Sequence, residues 1–421
     1  MAAAKILTLL IACASGAPAH EAVRFNETLE QARSQSKSIL LDFHAPWCYS
    51  CYYMKTEVLA TPEFSQAVKE LLVLAIDVDT PEGAALKERF KVRFLPTYVV
   101  LDARGNESGR ISGEQRKEDF IARLHTLAYA PAADPVQKLS SLLDSGDLKK
   151  ASRLRDISSN SKAARDPRWQ RASARLDLLT AVEARDPLKT SAALTALASS
   201  QTDCAFAYDC FKAQELLTQT VGQRHALTAA RTALESVLAA SVFVAPADRC
   251  ADIRSAIEAT ADIYTALGLQ DEHDALLKRT AAMLWQDVER DGVGKRRNTD
   301  DNLRYFLEIL KDETGLDRLY PELISKYPQD YVYAYRYAKN LLERKHLDAA
   351  LKIVLPARDH AYGENALNAS LLHAKILDAL GRHDEARAIL EKTITDNGKN
   401  FPKTIAHLNV YLEESRKIKT D

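Results

Sequence analysis

Along the first third of the chain, short apolar runs alternate with amphipathic segments. Ser38-Ile39-Leu40-Leu41-Asp42-Phe43 is apolar but for one carboxylate and reads as a buried strand. Leu71 to Asp79 and Thr97 to Leu101 repeat that signal, and the turn Ala103-Arg104-Gly105-Asn106 leads into a fourth strand, Glu107 to Ser112. Between the strands lie helical patterns. Ala22 to Ser36 predicts a short lead-in strand and an amphipathic helix, and Tyr52 to Leu59, free of Gly and Pro, can run as helix. Thr61-Pro62-Glu63 opens another helix, with a hydroxyl at the N-cap, proline in the first turn and an acid beside it. Gly83 to Phe90 and the stretch from Glu114 through Leu127 complete the set. Strands interleaved with helices in this way predict an α/β sheet domain over 20–129.

The pattern then changes. Ala130-Pro131-Ala132-Ala133-Asp134-Pro135 is a linker of small residues and prolines over 130–135. Beyond it the period is helical throughout and no strand signal recurs. The organisation expected is a helical region over 136–329 and paired helical repeats over 330–421. Arg344-Lys345-His346-Leu347-Asp348-Ala349-Ala350 aligns with Gly381-Arg382-His383-Asp384-Glu385-Ala386-Arg387, with Ala349 and Ala386 as the small residues that let paired helices approach. This pattern resembles tetratricopeptide repeats, which implies an all-α solenoid. Tyr331, Tyr333, Tyr335 and Tyr337 fall on one of its helices. They either line a groove or pack between helices, and packing is the commoner use of such aromatics.

Composition narrows the function. Lys and Arg number 57 against 58 Asp and Glu, a net charge of −1, which gives no electrostatic case for nucleic acid. The N-terminus reads as an export signal over 1–19: Lys5, the apolar run Ile6 to Ala14, and the small-residue site Ala17-Pro18-Ala19, with a mature start at His20. The run is too short to span a bilayer. Leu10-Ile11-Ala12-Cys13 also resembles a lipoprotein box that would anchor the chain through lipid at Cys13, but the very short segment ahead of it favours ordinary cleavage. Either route exports the chain, so disulfides can persist in it.

Of six cysteines, Cys48 and Cys51 form a Cys-x-x-Cys turn at the end of the first strand, followed by a helix-compatible segment. That places Cys48 near a helix N-terminus, where exposed N–H groups and the helix dipole favour the thiolate, the species that attacks disulfides. The spacing lets Cys51 reach back and resolve the mixed disulfide. A bare Cys-x-x-Cys can also be half of a zinc site, but no second pair completes four ligands, and no metal is expected.

The run Asp42-Phe43-His44-Ala45-Pro46-Trp47-Cys48-Tyr49-Ser50-Cys51, followed in order by Phe94-Leu95-Pro96-Thr97-Tyr98-Val99-Val100, resembles the thioredoxin superfamily. Within it, the segment from Arg24 to Tyr129 is similar to the C-terminal periplasmic domain of membrane thiol:disulfide reductases. The resemblance implies a thioredoxin-like fold, Cys48 and Cys51 as a redox-active disulfide, and a cis bond between Leu95 and Pro96. It also implies a client peptide held by Trp47, Leu95 and Pro96 through strand-like backbone bonds. Asp42 is then the buried carboxyl that accepts the Cys51 proton. His44 stands where the family has an aromatic residue. It would either favour the Cys48 thiolate when protonated or pack as a neutral imidazole.

The expected activity is therefore a periplasmic thiol:disulfide oxidoreductase without cofactor. Protein thiols and disulfides are its clients, a redox partner re-reduces it, and the helical region recruits clients or partners. The direction expected is reduction, from the resemblance, ahead of oxidation or isomerisation. The alternative is a scaffold or chaperone-like binder whose helical array is the active part. Cys204, Cys210 and Cys250 leave one thiol over. Two of them are expected to form a structural disulfide rather than a second redox pair.

Overall fold

A computed structural model of the chain describes residues 21–129, 134–200, 203–220, 222–397 and 400–416. The expected signal peptide, Cys13 and most of the linker lie outside these residues. The first part is a four-stranded sheet: β1 Ile39–His44, β2 Leu72–Asp77, β3 Thr97–Leu101 and β4 Glu107–Ser112, in the order β2-β1-β3-β4. β1 runs parallel to β2 and antiparallel to β3, with Leu41 opposite Leu74 on one side and Val99 on the other. The helices are α1 Glu21–Gln35, α2 Tyr49–Tyr53, α3 Pro62–Ala67, α4 Pro81–Arg89 and α5 Lys117–Tyr129. A π-helical segment, Met54–Leu59, continues α2. Where the sequence predicts a lead-in strand before the first helix, the described residues from Glu21 are helical, because β1 finds both its partners in β2 and β3.

The period-two pattern of β1 and β3 sorts their side chains onto two cores. Ile39, Leu41, Phe43, Val99 and Leu101 join Phe25 of α1 and Leu86 of α4. Leu40, Tyr98 and Val100 join Phe64 of α3 and Phe120, Leu124 and Leu127 of α5. Thr61 and Thr80 cap α3 and α4, each accepting a hydrogen bond from the N–H three residues on, with proline at the next position.

From Pro135 onward every regular element among the described residues is a helix. Helix Tyr331–Glu343 packs on Leu347–His360, and Gly363–Ala379 on His383–Asn397. The aligned repeat segments are shifted by one residue relative to expectation. Ala350 is fully buried and Ala349 is exposed, because the first helix begins at Leu347 and the second at His383, so Ala350 and Ala386 hold the equivalent positions. The helical region does not trail from the sheet domain. It packs against the Cys-x-x-Cys end of the sheet through contacts from the helices Phe206–Thr218, Ile253–Leu267, Arg297–Leu310, Tyr331–Glu343 and Gly363–Ala379.

Candidate functional site

β1 delivers the chain to a tight turn at Ala45-Pro46-Trp47, and Cys48 is the N-cap of α2. Its sulfur accepts a hydrogen bond from the Cys51 backbone N–H, 3.1 Å away. In the reduced state that donor would stabilise a Cys48 thiolate. Cys48 and Cys51 are joined as a disulfide with Cα atoms 5.2 Å apart. The Leu95–Pro96 peptide bond is cis, and Pro96 O accepts from Gly113 N–H at 2.9 Å. Trp47 is 40% exposed and donates its indole N–H to Asp79. Cys48 and Cys51 are both buried, at 5% and 8% exposure, where the helical region covers this face.

Three carboxyl groups surround the motif. Asp42 sits opposite Tyr98 in the sheet, and its Oδ1 is buried without a hydrogen-bond partner. Burial raises its pKa against the lowering charges of His44 and Lys55. The His44 ring Nδ1 lies 3.4 Å from the Asp42 backbone oxygen. Glu114, which carried no signal in the sequence, is buried beside the motif. It accepts a hydrogen bond from Asn298, whose Nδ2 also donates to the Tyr49 carbonyl, at 3.0 and 2.9 Å. Burial, reinforced by Asp252, pushes the Glu114 carboxyl well up, while Arg254 and hydrogen bonds from Asn298 and Ser50 pull the other way. Asp79 is raised to about 6, chiefly by burial.

The helical region supplies the rest of the surround. Tyr49, inside the Cys-x-x-Cys, has its hydroxyl 3.4 Å from both Asp252 and Ser255, and the Arg254 guanidinium lies 3.7 Å from its ring centroid. Arg336 donates to the Trp47 carbonyl at 3.0 Å. Arg254, Arg304 and Arg336 all converge on the fully buried Asp301. Arg297 lies over the Tyr52 ring. On the far side the Tyr208 hydroxyl closes over Gly113, and Lys212 sits 5.0 Å from the Phe94 ring, next to Leu95. None of these partners was legible beforehand, since each lies far along the chain from the motif, on a helix whose burial pattern looks ordinary.

Cys204 and Cys250 form a disulfide, and Cys210 is the free thiol among the described residues. Burial, with the neighbouring Asp209 charge, pushes the Cys210 thiol well up, which makes it inert. The Cys204–Cys250 bond ties together the segments carrying Tyr208 and Asp252, whose side chains are hydrogen-bonded to each other. Of the four tyrosines, Tyr331 and Tyr333 are buried and Tyr337 stacks on Tyr320. Tyr331 and Tyr335 also line a cleft beside Trp47.

The thioredoxin-like domain family model matches residues 25–128. The thiol:disulfide interchange protein DsbD of Pseudomonas fluorescens is 36% identical over 99 residues, 23% of this chain and 17% of that protein. DsbD of Cronobacter sakazakii is 34% identical over 98 residues, again 17% of its length. The chain therefore spans about a fifth of the length of the curated relatives it matches. Among solved structures, the oxidised C-terminal domain of Neisseria meningitidis DsbD is 27% identical, with a TM-score of 0.23, covering 25% of this chain and 92% of that one. A thioredoxin from Thermus thermophilus is 30% identical, with a TM-score of 0.25, covering 26% and 87%. Residues 25–128 are thus a thioredoxin-like domain resembling the C-terminal domain of DsbD, and the regular elements beyond it are helices among the described residues.

Proposed function

We propose that this chain is a thiol:disulfide oxidoreductase that works in the periplasm, entering by the export signal at its N-terminus with cleavage before His20 rather than a lipid anchor at Cys13. The observation that carries the reading is the Cys48 sulfur at a helix N-cap, receiving the Cys51 N–H, with Cys51 already bonded to it. In the reduced protein Cys48 attacks one sulfur of a client disulfide. A Cys48–client bond forms, the client S–S bond breaks, and the other client sulfur leaves as a thiol. Cys51 then attacks Cys48, loses its proton to the Asp42 carboxylate, and releases the second client thiol. The protein ends oxidised by two electrons and a redox partner restores it. Trp47, Leu95 and Pro96 hold the client, and reduction is the direction that the similarity to DsbD favours. His44, at the end of β1, tunes the site by favouring the Cys48 thiolate when protonated.

The test is turnover of insulin and of oxidised glutathione with dithiothreitol as electron source, with Cys48→Ser alongside. Cys48-dependent turnover of either supports the reading. Turnover that survives Cys48→Ser, or none at all, sinks it, and the second outcome favours a binding role for the helical array.

A further inference from the structure

The two residues between the cysteines are held from outside their own helix. Asn298, on the helix Arg297–Leu310, donates one side-chain nitrogen both to the Tyr49 carbonyl at 2.9 Å and to Glu114 Oε1 at 3.0 Å. Glu114 in turn accepts from the Ser50 hydroxyl. It is 6% exposed and follows Gly113, whose N–H braces the Pro96 carbonyl at 2.9 Å. A carboxyl group from the sheet domain and an amide from the helical region therefore meet on the turn that joins Cys48 to Cys51. The pair is itself fixed. Asn302 donates to Asn298 Oδ1 at 3.2 Å, which keeps the Asn298 nitrogen toward the motif. Arg254 donates to Asn302 at 2.7 Å and lies over the Tyr49 ring.

The geometry that this turn must keep is narrow. The Cys51 N–H reaches the Cys48 sulfur at 3.1 Å across Tyr49 and Ser50, and such a donor counts most towards a thiolate. Movement of either intervening residue tilts the donor away. α2 has only five residues before its π-helical continuation, so its own hydrogen-bond ladder gives the first turn little support. Support from Asn298 and Glu114 supplies what so short a helix lacks.

We propose that Glu114 and Asn298 are positioning residues for the Cys-x-x-Cys turn and that, through them, the helical region sets the reduction potential of Cys48–Cys51. The inference rests on the oxidoreductase reading and adds that the site is complete only with the helical region in place. Loss of the pair loosens the Cys51 N–H and deprives the Cys48 thiolate of its donor. The dithiol form then becomes less stable relative to the disulfide.

The experiment equilibrates the full chain with glutathione buffers of graded ratio. Two glutathione thiols reduce the Cys48–Cys51 bond and leave as glutathione disulfide, and the oxidised fraction is read at peptide resolution by trapping and mass spectrometry. The Cys48 thiol pKa is read from the pH dependence of its alkylation. Asn298→Ala and Glu114→Ala should each shift the equilibrium about tenfold towards the disulfide, the weight of one hydrogen bond and a potential about 30 mV lower. The Cys48 thiol pKa should rise by about one pH unit. The double variant should shift no further than either single one, because the two residues act as one unit. Glu114→Gln keeps an oxygen for Asn298 and should stay within about threefold of the wild type. Tyr362→Phe, which breaks a hydrogen bond to Asp77 elsewhere between the two parts, should leave the potential unchanged. Should Asn298→Ala fail to fold, Glu114→Ala removes the same pair from the other side and decides alone. An unchanged potential in the folded alanine variants overturns the inference, as does an equal shift in Tyr362→Phe. A shift in Glu114→Gln as large as that in Glu114→Ala assigns the effect to charge and overturns the positioning role. If Cys48–Cys51 of the wild type reaches no equilibrium with glutathione, the oxidoreductase reading falls, and this inference with it.

Discussion

Asp301→Asn is the most informative single change, because Asp301 ties the helical region to the redox motif. Its side chain is 0% exposed and accepts from Arg254 at 2.9 Å, from Arg304 at 3.0 Å, and from Arg336. Burial alone would raise its pKa, but Arg304, Arg336 and Arg254 outweigh that and hold the carboxyl far below the usual carboxylate range. Removing the charge while keeping the shape leaves three guanidinium groups short of a counter-ion. Breaking a buried ion pair costs about 3–5 kcal/mol. Arg304 keeps Glu308, Arg254 keeps Asn302, and Arg336 is 23% exposed, so the loss should fall near the lower end, about 3 kcal/mol. Urea denaturation at pH 7 measures it. Two of the freed arginines touch the motif, so reduced Cys48 should also alkylate faster in the variant. The pH dependence has a fixed sign. A depressed carboxylate stabilises the fold above its unfolded value of about 3.9 and loses that contribution only as pH falls through the folded value. The gap between wild type and variant should therefore hold from about pH 5 to 8 and close only in strong acid. A loss below about 1 kcal/mol would refute the hub role assigned to Asp301, since it would match an exposed ion pair rather than a buried one.

Three further outcomes are expected. Asp42→Asn should stabilise the fold by an amount that grows with pH: a raised carboxyl is favourable while neutral and loses that contribution as pH rises through its folded value, and a stability curve flat with pH would contradict this. The same variant should slow release of the mixed disulfide, seen as an accumulating Cys48 adduct by mass spectrometry. Replacing Cys204 and Cys250 together with serine should cost about 4 kcal/mol from the loop of 46 residues that the bond closes, measured by urea denaturation of the oxidised protein. Cutting the chain between Tyr129 and Asp134 should leave two fragments that co-elute in gel filtration, because contacts from five helices hold them together across the site. Separate elution would show that the helical region is an independent attachment.

Local chemistry wrote much of this protein into its sequence. The near-continuous apolar runs of β1 and β3 suit strands buried on both faces of a sheet, and Thr61-Pro62 and Thr80-Pro81 mark helix starts by caps that need no distant partner. Cys48 and Cys51 were legible as a pair because three residues and a helix start are all that their geometry requires. The order of Trp47, Cys48, Cys51, Leu95 and Pro96 carried the thioredoxin-like reading, and Asp42 stood out as the single charge in a buried strand. Asp79, Glu114, Asp252, Asn298, Asp301 and Arg336 were invisible, since a polar side chain in a loop or on a helix looks the same whether it meets water or a neighbour. The pairing of Cys204 with Cys250 rather than Cys210 was equally undetermined, because sequence separation says nothing of which sulfurs approach. The cleft beside Trp47 belongs to no segment at all: its walls come from a loop after β2 and from two helices near the other end of the chain. Periodicity and caps are properties of neighbours in the chain, so the sequence states them outright. Burial of a charge and the shape of a cleft depend on which surfaces meet, and only the packed tertiary structure decides that.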